Sequence, residues 1–222
     1  MKQLIFTCPT LKGELLEALD AAGNESPVLL LPQRLHSYPD ELHDYLQDCI
    51  DRAAHVDRVI LLPSGCGGST VGLRAGSAPL VIPRSRDCID ILLSDRSLAD
   101  AKKNRDGKGV FMTKDWAEFQ KRSSLDYDTL VGQKGEDGAR AFLKRVYGPF
   151  NHFYLIDTGC YELEPVQAYL QPTLDAIDGS LTVLPGPCGI LKKVAAGLFD
   201  DDFRVTAPGD TVPKGFSMPN FD

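Results

Sequence analysis

Short apolar runs alternate regularly with longer amphipathic segments along the chain, and this alternation restricts the possible folds most strongly. The apolar runs that predict strands are residues 3–8, 28–31, 58–62, 80–82, 109–113, 152–159, 180–184 and 203–207. Several are followed by a segment of helical periodicity, such as residues 39–54. Strands that alternate with helices in this way indicate a Rossmann-like α/β fold, with a mainly parallel sheet and helices on both of its faces.

The length of the chain sets the number of domains that we expect. Its 222 residues are enough to bury a core of their own, so we predict a single α/β domain over residues 1–222. A polar segment near residues 120–135 is the place where the chain would divide if it formed two lobes.

The charge and hydropathy of the chain exclude several classes of function. The formal net charge of −7 argues against a protein that coats nucleic acid or an anionic membrane. No stretch of the sequence reaches the roughly 18 apolar residues of a membrane span. The N-terminal segment becomes polar too early for a signal peptide, and we therefore expect a cytoplasmic protein.

Three of the six cysteines stand at the ends of separate strand-like runs: Cys8, Cys66 and Cys88. Parallel strands bring their carboxyl ends to one edge of a sheet, where ligands bind. The positions therefore predict a thiolate site, which would hold Zn²⁺ or a [4Fe–4S] cluster with one iron open to substrate. His36, just before the helix at 39–54, is a candidate fourth ligand or general acid/base.

Two other interpretations of the cysteines remain open. One is metal-free catalysis by a thiolate of Cys66 or Cys88, assisted by Arg86. The other is that the cysteines are core residues, because free cysteine is among the most buried residue types. The chain has no CxxC pair, which makes a zinc-finger site a poor interpretation.

The turn around Cys66 is rich in glycine and is a candidate cofactor-binding segment. Gly65, Gly67 and Gly68 allow a positive φ and a close approach of the backbone to a ligand. A helix that began directly after this turn would lower the pKa of the Cys66 thiol.

Charged residues precede Cys88 at a junction between strand and helix. We expect Arg84 and Arg86 to orient a small anionic substrate, since arginine binds carboxylates and phosphates in a bidentate manner. Asp87 is a candidate N-cap of the following helix and, with His36 and the two arginines, a candidate catalytic residue.

A second group of candidate ligand-binding residues ends a later strand. Asp157, Thr158 and Gly159 follow the apolar run that begins at residue 152. At the carboxyl edge of a parallel sheet, these residues would contact the ligand or its phosphate.

Several segments together resemble a family that is described only as a domain of unknown function, number 1638. They are the thiol at Cys8, the LH-x-x-P segment at 35–39, the GCGG turn, the IPR-x-x-DCI-x-LL segment at 82–93, the MTKDW segment at 112–116 and the DTG at 157–159. The family pattern has histidine directly before the DC pair, where this chain has Arg86.

The resemblance implies a link to one-carbon chemistry, because members often accompany corrinoid-dependent methyltransferase systems. Together with the thiolate site, this link predicts zinc-assisted transfer of a methyl or another small group, with a corrinoid protein or methyltransferase as a partner. An alternative of another class is a non-catalytic accessory protein that carries a metal or a corrinoid.

Overall fold

The computed structural model describes residues 2–105 and 107–216. These residues form two compact units, of which the first contains the chain up to Lys103 together with the chain from Pro187 onward. The second unit, Asn104–Gly186, is inserted between these two parts. The segment near 120–135 lies inside the second unit, where most of it belongs to a helix, and the chain divides at 103/104 and 186/187.

The described residues contain eight strands and eight α-helices. The strands are β1 (Gln3–Thr7), β2 (Val28–Leu30), β3 (Arg58–Leu61), β4 (Leu80–Pro83), β5 (Val110–Met112), β6 (His152–Asp157), β7 (Ser180–Pro185) and β8 (Phe203–Thr206). The helices are α1 (Lys12–Ala21), α2 (Pro39–Arg52), α3 (Cys88–Leu93), α4 (Leu98–Ala101), α5 (Lys114–Gln120), α6 (Tyr127–Tyr147), α7 (Leu163–Ile177) and α8 (Gly189–Ala196).

The strand order of the first unit confirms the predicted α/β fold with a mainly parallel sheet. Within the described residues its order is β2-β1-β3-β4-β8, in which the first four strands are parallel. Only β8 runs antiparallel, beside β4 at the edge of this sheet. All four parallel strands therefore end at the same edge, which is where ligands bind in such folds.

Helix α2 covers one face of this sheet. Its residues Leu42, Leu46 and Ile50 pack in one cluster with Phe6 of β1 and Leu61 of β3. The helix follows from the sequence because its apolar residues recur at intervals of four, which places them on one stripe.

The opposite face of the sheet is also covered. Ile5, Ile60 and Val81 alternate with the residues of the first face and are at most 3% exposed. Helix α8 contacts both α1 and α3. Burial of both faces agrees with the Rossmann-like fold that the alternation of strands and helices predicted.

The second unit has a smaller parallel sheet of its own, with the order β5-β6-β7 among the described residues. Phe153 and Leu155 of β6 are fully buried and pack with Leu143 of α6 and Leu170 of α7. No helix among the residues that the structure describes has the length and apolar character needed to cross a membrane.

Candidate functional site

The strand order places the predicted thiols on either side of a topological switch point. The chain passes from β1 to β2 on one side of β1 and then returns to β3 on its other side. In open α/β sheets the crevice at such a point binds ligands. Cys8 directly follows β1, and Cys66 lies in the loop after β3, so both thiols lie at this crevice.

The thiols of Cys8 and Cys66 are close enough to interact electrostatically. Burial raises the pKa of the Cys8 thiol to about 12, and the charge of a Cys66 thiolate adds to this shift. Burial also raises the pKa of Cys66, which a backbone hydrogen bond at Ser64 partly offsets. Both cysteines are therefore protonated near neutral pH unless a cation compensates their charge.

His36 and Asp87 form the other half of the same site. His36 lies in the 3-10 turn Gln33–Ser37 after β2, where burial lowers the pKa of its imidazole and the Asp87 carboxylate opposes the shift. The Asp87 carboxylate also raises the pKa of Cys66, so it interacts with both residues. A neutral imidazole is able to bind a metal ion or accept a proton.

Asp87 is fixed in place because it caps α3, as the sequence predicted. Its Oδ1 accepts hydrogen bonds from the backbone N–H groups of Ile89 (2.9 Å) and Asp90 (3.3 Å). Cys88 is the first residue of the helix and is 8% exposed. Electrostatic interactions thus connect Cys8, Cys66, Asp87 and His36, and Cys88 is adjacent to this group in the chain.

The turn that carries Cys66 differs from one expectation. The structure forms only a 3-10 turn at Cys66–Gly68, and the next α-helix in the chain is α3. The turn at Cys66 therefore does not lead directly into a helix that would lower the pKa of its thiol, and burial raises this pKa. This difference bears on the chemistry, because a helix that began directly after the turn would have stabilised the Cys66 thiolate.

Two of the three predicted glycines are required by close packing within this unit. A Cβ atom on Gly65 would lie 2.2 Å from the carbonyl oxygen of Arg86, and one on Gly67 would lie 2.6 Å from Cγ of Pro39. Gly68, with a φ of +83°, has no such neighbour within 4 Å. The turn is thus packed between the loop after β4 and the first residue of α2.

Arg86, in the loop before α3, binds a carboxylate of that helix. Its Nε donates to Oδ2 of Asp90 over 2.7 Å, and its Nη2 donates to Oδ1 of the same residue. The side chains of this ion pair are only 9% and 0% exposed. The backbone N–H of Arg86 also donates to Oδ2 of Asp90, so the pair holds the loop that contacts Gly65.

Arg84 leaves the sheet one residue after β4. Its backbone N–H donates to the carbonyl oxygen of Asp202 over 2.8 Å. Its Nε is buried and has no hydrogen-bond partner among the described residues. Arg84 therefore retains a donor for the anionic group that the sequence predicted it to bind.

Asp157, Thr158 and Gly159 belong to the second unit, whereas the cysteines at the switch point belong to the first. Oδ1 of Asp157 accepts a hydrogen bond of 3.0 Å from the backbone N–H of Gly159, whose φ is +73°. The turn after β6 lines a pocket of about 600 Å³ between α5 and α7, to which Gly159 and Cys160 contribute.

Sequence reasoning missed residues that connect the loops of the site. Nδ1 of His43, on α2, lies 2.9 Å from the carbonyl oxygen of Ser69 in the glycine-rich turn. The buried hydroxyl groups of Ser64 and Ser85 hydrogen-bond to each other, and Thr70 donates to the Ser64 carbonyl oxygen. Serine and threonine beside PSGCGG and IPRSRD were the only signal of this network, and their partners are distant in the chain.

The donor chemistry of the site fits a soft divalent cation. Two desolvated thiols and a neutral imidazole are the ligand types that Zn²⁺ prefers. Within residues 2–105 and 107–216, no three Cys, His, Asp or Glu side chains form a group that could hold a metal ion as they stand. Binding would therefore require side chains at the site to move together.

The buried Cys8 thiol predicts how stability depends on pH. The folded chain retains the Cys8 proton up to a pKa of about 12, whereas the ordinary value is 9.0. Above pH 9 the unfolded chain thus binds fewer protons, and stability falls with rising pH by at most about 1.4 kcal/mol per unit. In chelator-treated protein, we expect urea unfolding to show that the free energy of unfolding falls less between about pH 8 and about pH 10.5 in Cys8→Ala than in the wild type. Equal losses in both proteins would contradict a desolvated thiol.

Comparison with known families identifies the group to which the sequence is similar. Residues 30–195 match the family described as "Protein of unknown function (DUF1638)". No curated protein and no solved structure matches the chain. Because the match covers more than half of its length, the chain belongs to this family, as the resemblance of its motifs predicted.

Proposed function

We propose that this member of the family is a metal-dependent enzyme that transfers a methyl or another small group. Cysteine thiolates at the carboxyl edge of the first sheet would hold Zn²⁺. The observation that carries the proposal is the interacting pair of Cys8 and Cys66 at the switch point. Cys88 and His36, which follow the two neighbouring strands, are the candidates to complete the ligand set.

The raised pKa values of the two thiols favour a metal over an unaided thiolate. Catalysis by a thiolate alone needs a lowered pKa, supplied by a helix N-terminus or by a nearby cation. The turn at Cys66 precedes no helix N-terminus, and Arg86 is bound to Asp90. A bound metal would keep the thiols deprotonated and act as a Lewis acid.

The other residues of the site have roles that their positions suggest. His36 is neutral near pH 7 because burial lowers its pKa, and it would bind the metal or accept a proton from the substrate. Asp87, held by its two backbone hydrogen bonds, would orient the imidazole. Arg84 would bind an anionic group of the substrate through its buried Nε.

Metal analysis and an absorption spectrum of protein purified without oxygen test the proposal. We expect a colourless protein with about one zinc ion per chain. Cys8→Ala and Cys66→Ala should both lose the metal, because each removes a ligand. Cys160→Ser is the matched control, since its thiol lies in the second unit, and it should retain the zinc.

Two results would change the assignment. A brown protein with iron and sulfide would replace zinc with a [4Fe–4S] cluster. A wild-type protein without bound metal, whose zinc affinity is the same as that of Cys66→Ala, would contradict the proposal. Circular dichroism of each variant verifies that it is folded.

A further inference from the structure

We infer that Arg84 and Arg204 together form a binding site for an oxyanion, a carboxylate or phosphoryl group of the substrate. The inference deepens the proposed function, on which it rests, because it assigns a substrate class to the same edge of the sheet. Arg204, on β8, carries no motif in the sequence, and only the structure places it beside Arg84.

The antiparallel pairing of β4 and β8 brings the two arginines together. Arg204 lies opposite Ile82, and the backbone hydrogen bond from Arg84 to Asp202 continues this pairing by one more step. Residues that are opposite, or two positions apart, project from the same face of a sheet. Arg84 and Arg204 are thus diagonal neighbours on one face, and such neighbours lie about 7–8 Å apart, within reach of each other's long side chains.

Both guanidinium groups retain a buried donor. Nε of Arg84 and Nε of Arg204 are buried and have no hydrogen-bond partner among the described residues. The hydroxyl of Thr206, two residues beyond Arg204 on the same face, is also buried without a hydrogen-bond partner among the described residues. Buried donors without a partner are uncommon and costly, and three on one face point to a group that accepts hydrogen bonds.

The nearby carboxylate of Asp202 accepts its hydrogen bonds from groups other than these two arginines. Oδ1 of Asp202 accepts from the backbone N–H of Leu98 (3.1 Å), and its Oδ2 accepts from Nζ of Lys193 (2.6 Å). Two partly buried guanidinium groups on one face repel each other, and an anion between them would reverse that repulsion. Arginine pairs of this kind suit carboxylate and phosphate oxygens, which accept two parallel hydrogen bonds.

The proposed anion site lies on the same face of the sheet as Cys8. Cys8 packs against the cluster that contains Phe6 and Ile82, and Arg84 is two residues beyond Ile82. When the strand registers are continued, Cys8 and Arg84 both lie level with Pro63. Their Cα atoms are then about 10 Å apart, or two strand spacings. This distance suits a small substrate whose anionic end binds Arg84 while its reactive end lies at the thiols.

Titration calorimetry with inorganic phosphate and with malonate tests the inference and separates the two kinds of oxyanion. The wild-type chain should bind at least one of the two ions at a single saturable site. Arg84→Met and Arg204→Met should each raise the dissociation constant at least about tenfold, as expected for the loss of a charge-assisted hydrogen bond. Arg96→Met, an exposed arginine of the same unit, is the control and should change it less than about twofold.

Thermal unfolding in a buffer without these ions separates a binding role from a structural one. Because methionine removes a buried donor without a partner, Arg204→Met should unfold at the wild-type temperature or above it. A markedly lower temperature would overturn the inference, and so would a wild-type chain without saturable binding of either ion. Unchanged binding in Arg204→Met would also overturn it.

The anion titration is independent of the metal. Cys66→Ala, which the proposed function expects to lack zinc, should bind the anion with the wild-type dissociation constant. If the purified wild type holds no metal, has the same zinc affinity as Cys66→Ala and still binds the anion, the proposed function fails and the anion site remains. If the wild type holds zinc and binds neither ion, only the anion site fails.

Discussion

Gly65→Ala, which adds a single methyl group, is expected to disrupt the candidate metal site around Cys66. The new Cβ would lie 2.2 Å from the carbonyl oxygen of Arg86, a backbone atom that no side-chain rotation can move. The loop after β3 and the loop after β4 must separate, which moves Cys66 away from Asp87. We expect metal affinity to fall about 10–100-fold, as for lost supporting contacts around a metal. The free energy of unfolding should fall by about 1–3 kcal/mol.

Zinc competition with a chromogenic chelator and urea unfolding measure these two effects. Gly132→Ala is the matched control, because Gly132 is exposed on α6 in the second unit and a Cβ there meets no atom within 4 Å. Alanine at that position should leave metal affinity unchanged and stabilise the helix by up to about 1 kcal/mol. Wild-type metal affinity in Gly65→Ala would show that the contact between the two loops does not position Cys66.

Asp90→Ala is expected to lower the free energy of unfolding more than Gly65→Ala does. The Asp90 carboxylate is fully buried and accepts from Nε, Nη2 and the backbone N–H of Arg86. Removing it leaves the Arg86 charge buried without this partner, which in proteins costs about 3–5 kcal/mol. We therefore expect urea unfolding to show a loss of that size, together with weaker metal binding, because Arg86 supports the loop that contacts Gly65.

The ion pair of Arg52 and Asp48 provides a matched control. It has the same spacing of four residues, and its side chains are 77% and 52% exposed. Asp48→Ala should therefore change the free energy of unfolding by less than about 0.5 kcal/mol. The double variant Arg86→Met/Asp90→Leu should recover most of the stability, because neither buried charge remains. A loss in Asp90→Ala as small as that in Asp48→Ala would show that burial does not make this pair important.

The sequence predicted the role of Asp87 more fully than that of Arg86. The N-cap at Asp87 depends on its own helix, and the prediction is confirmed because capping is a local interaction. Arg86 was expected to bind substrate, and the structure shows its guanidinium bound to Asp90. The spacing of four residues between them was visible in the sequence. Burial makes this pair strong, and burial depends on the rest of the fold.

Residues whose partners are distant in the chain were not accessible to sequence reasoning. His43 belongs to no motif in the sequence, yet its Nδ1 lies 2.9 Å from the carbonyl oxygen of Ser69, 26 residues away. Arg204 lies on an edge strand in a short apolar run, and only its pairing opposite Ile82 brings it near Arg84. Neither partner follows from local spacing or periodicity.

The sequence by itself determined the class of the fold, its elements and the shared edge at which the cysteines lie. These features depend on local periodicity and on the rule that parallel strands end at one side of a sheet. Only the tertiary structure decided that β1 lies beside β3, which brings Cys8 next to Cys66 at the switch point. It also decided that Asp157 belongs to another unit. Strand order and burial come from packing between distant segments, and this packing fixes the neighbours of Cys8 and Cys66 and raises the pKa of both thiols.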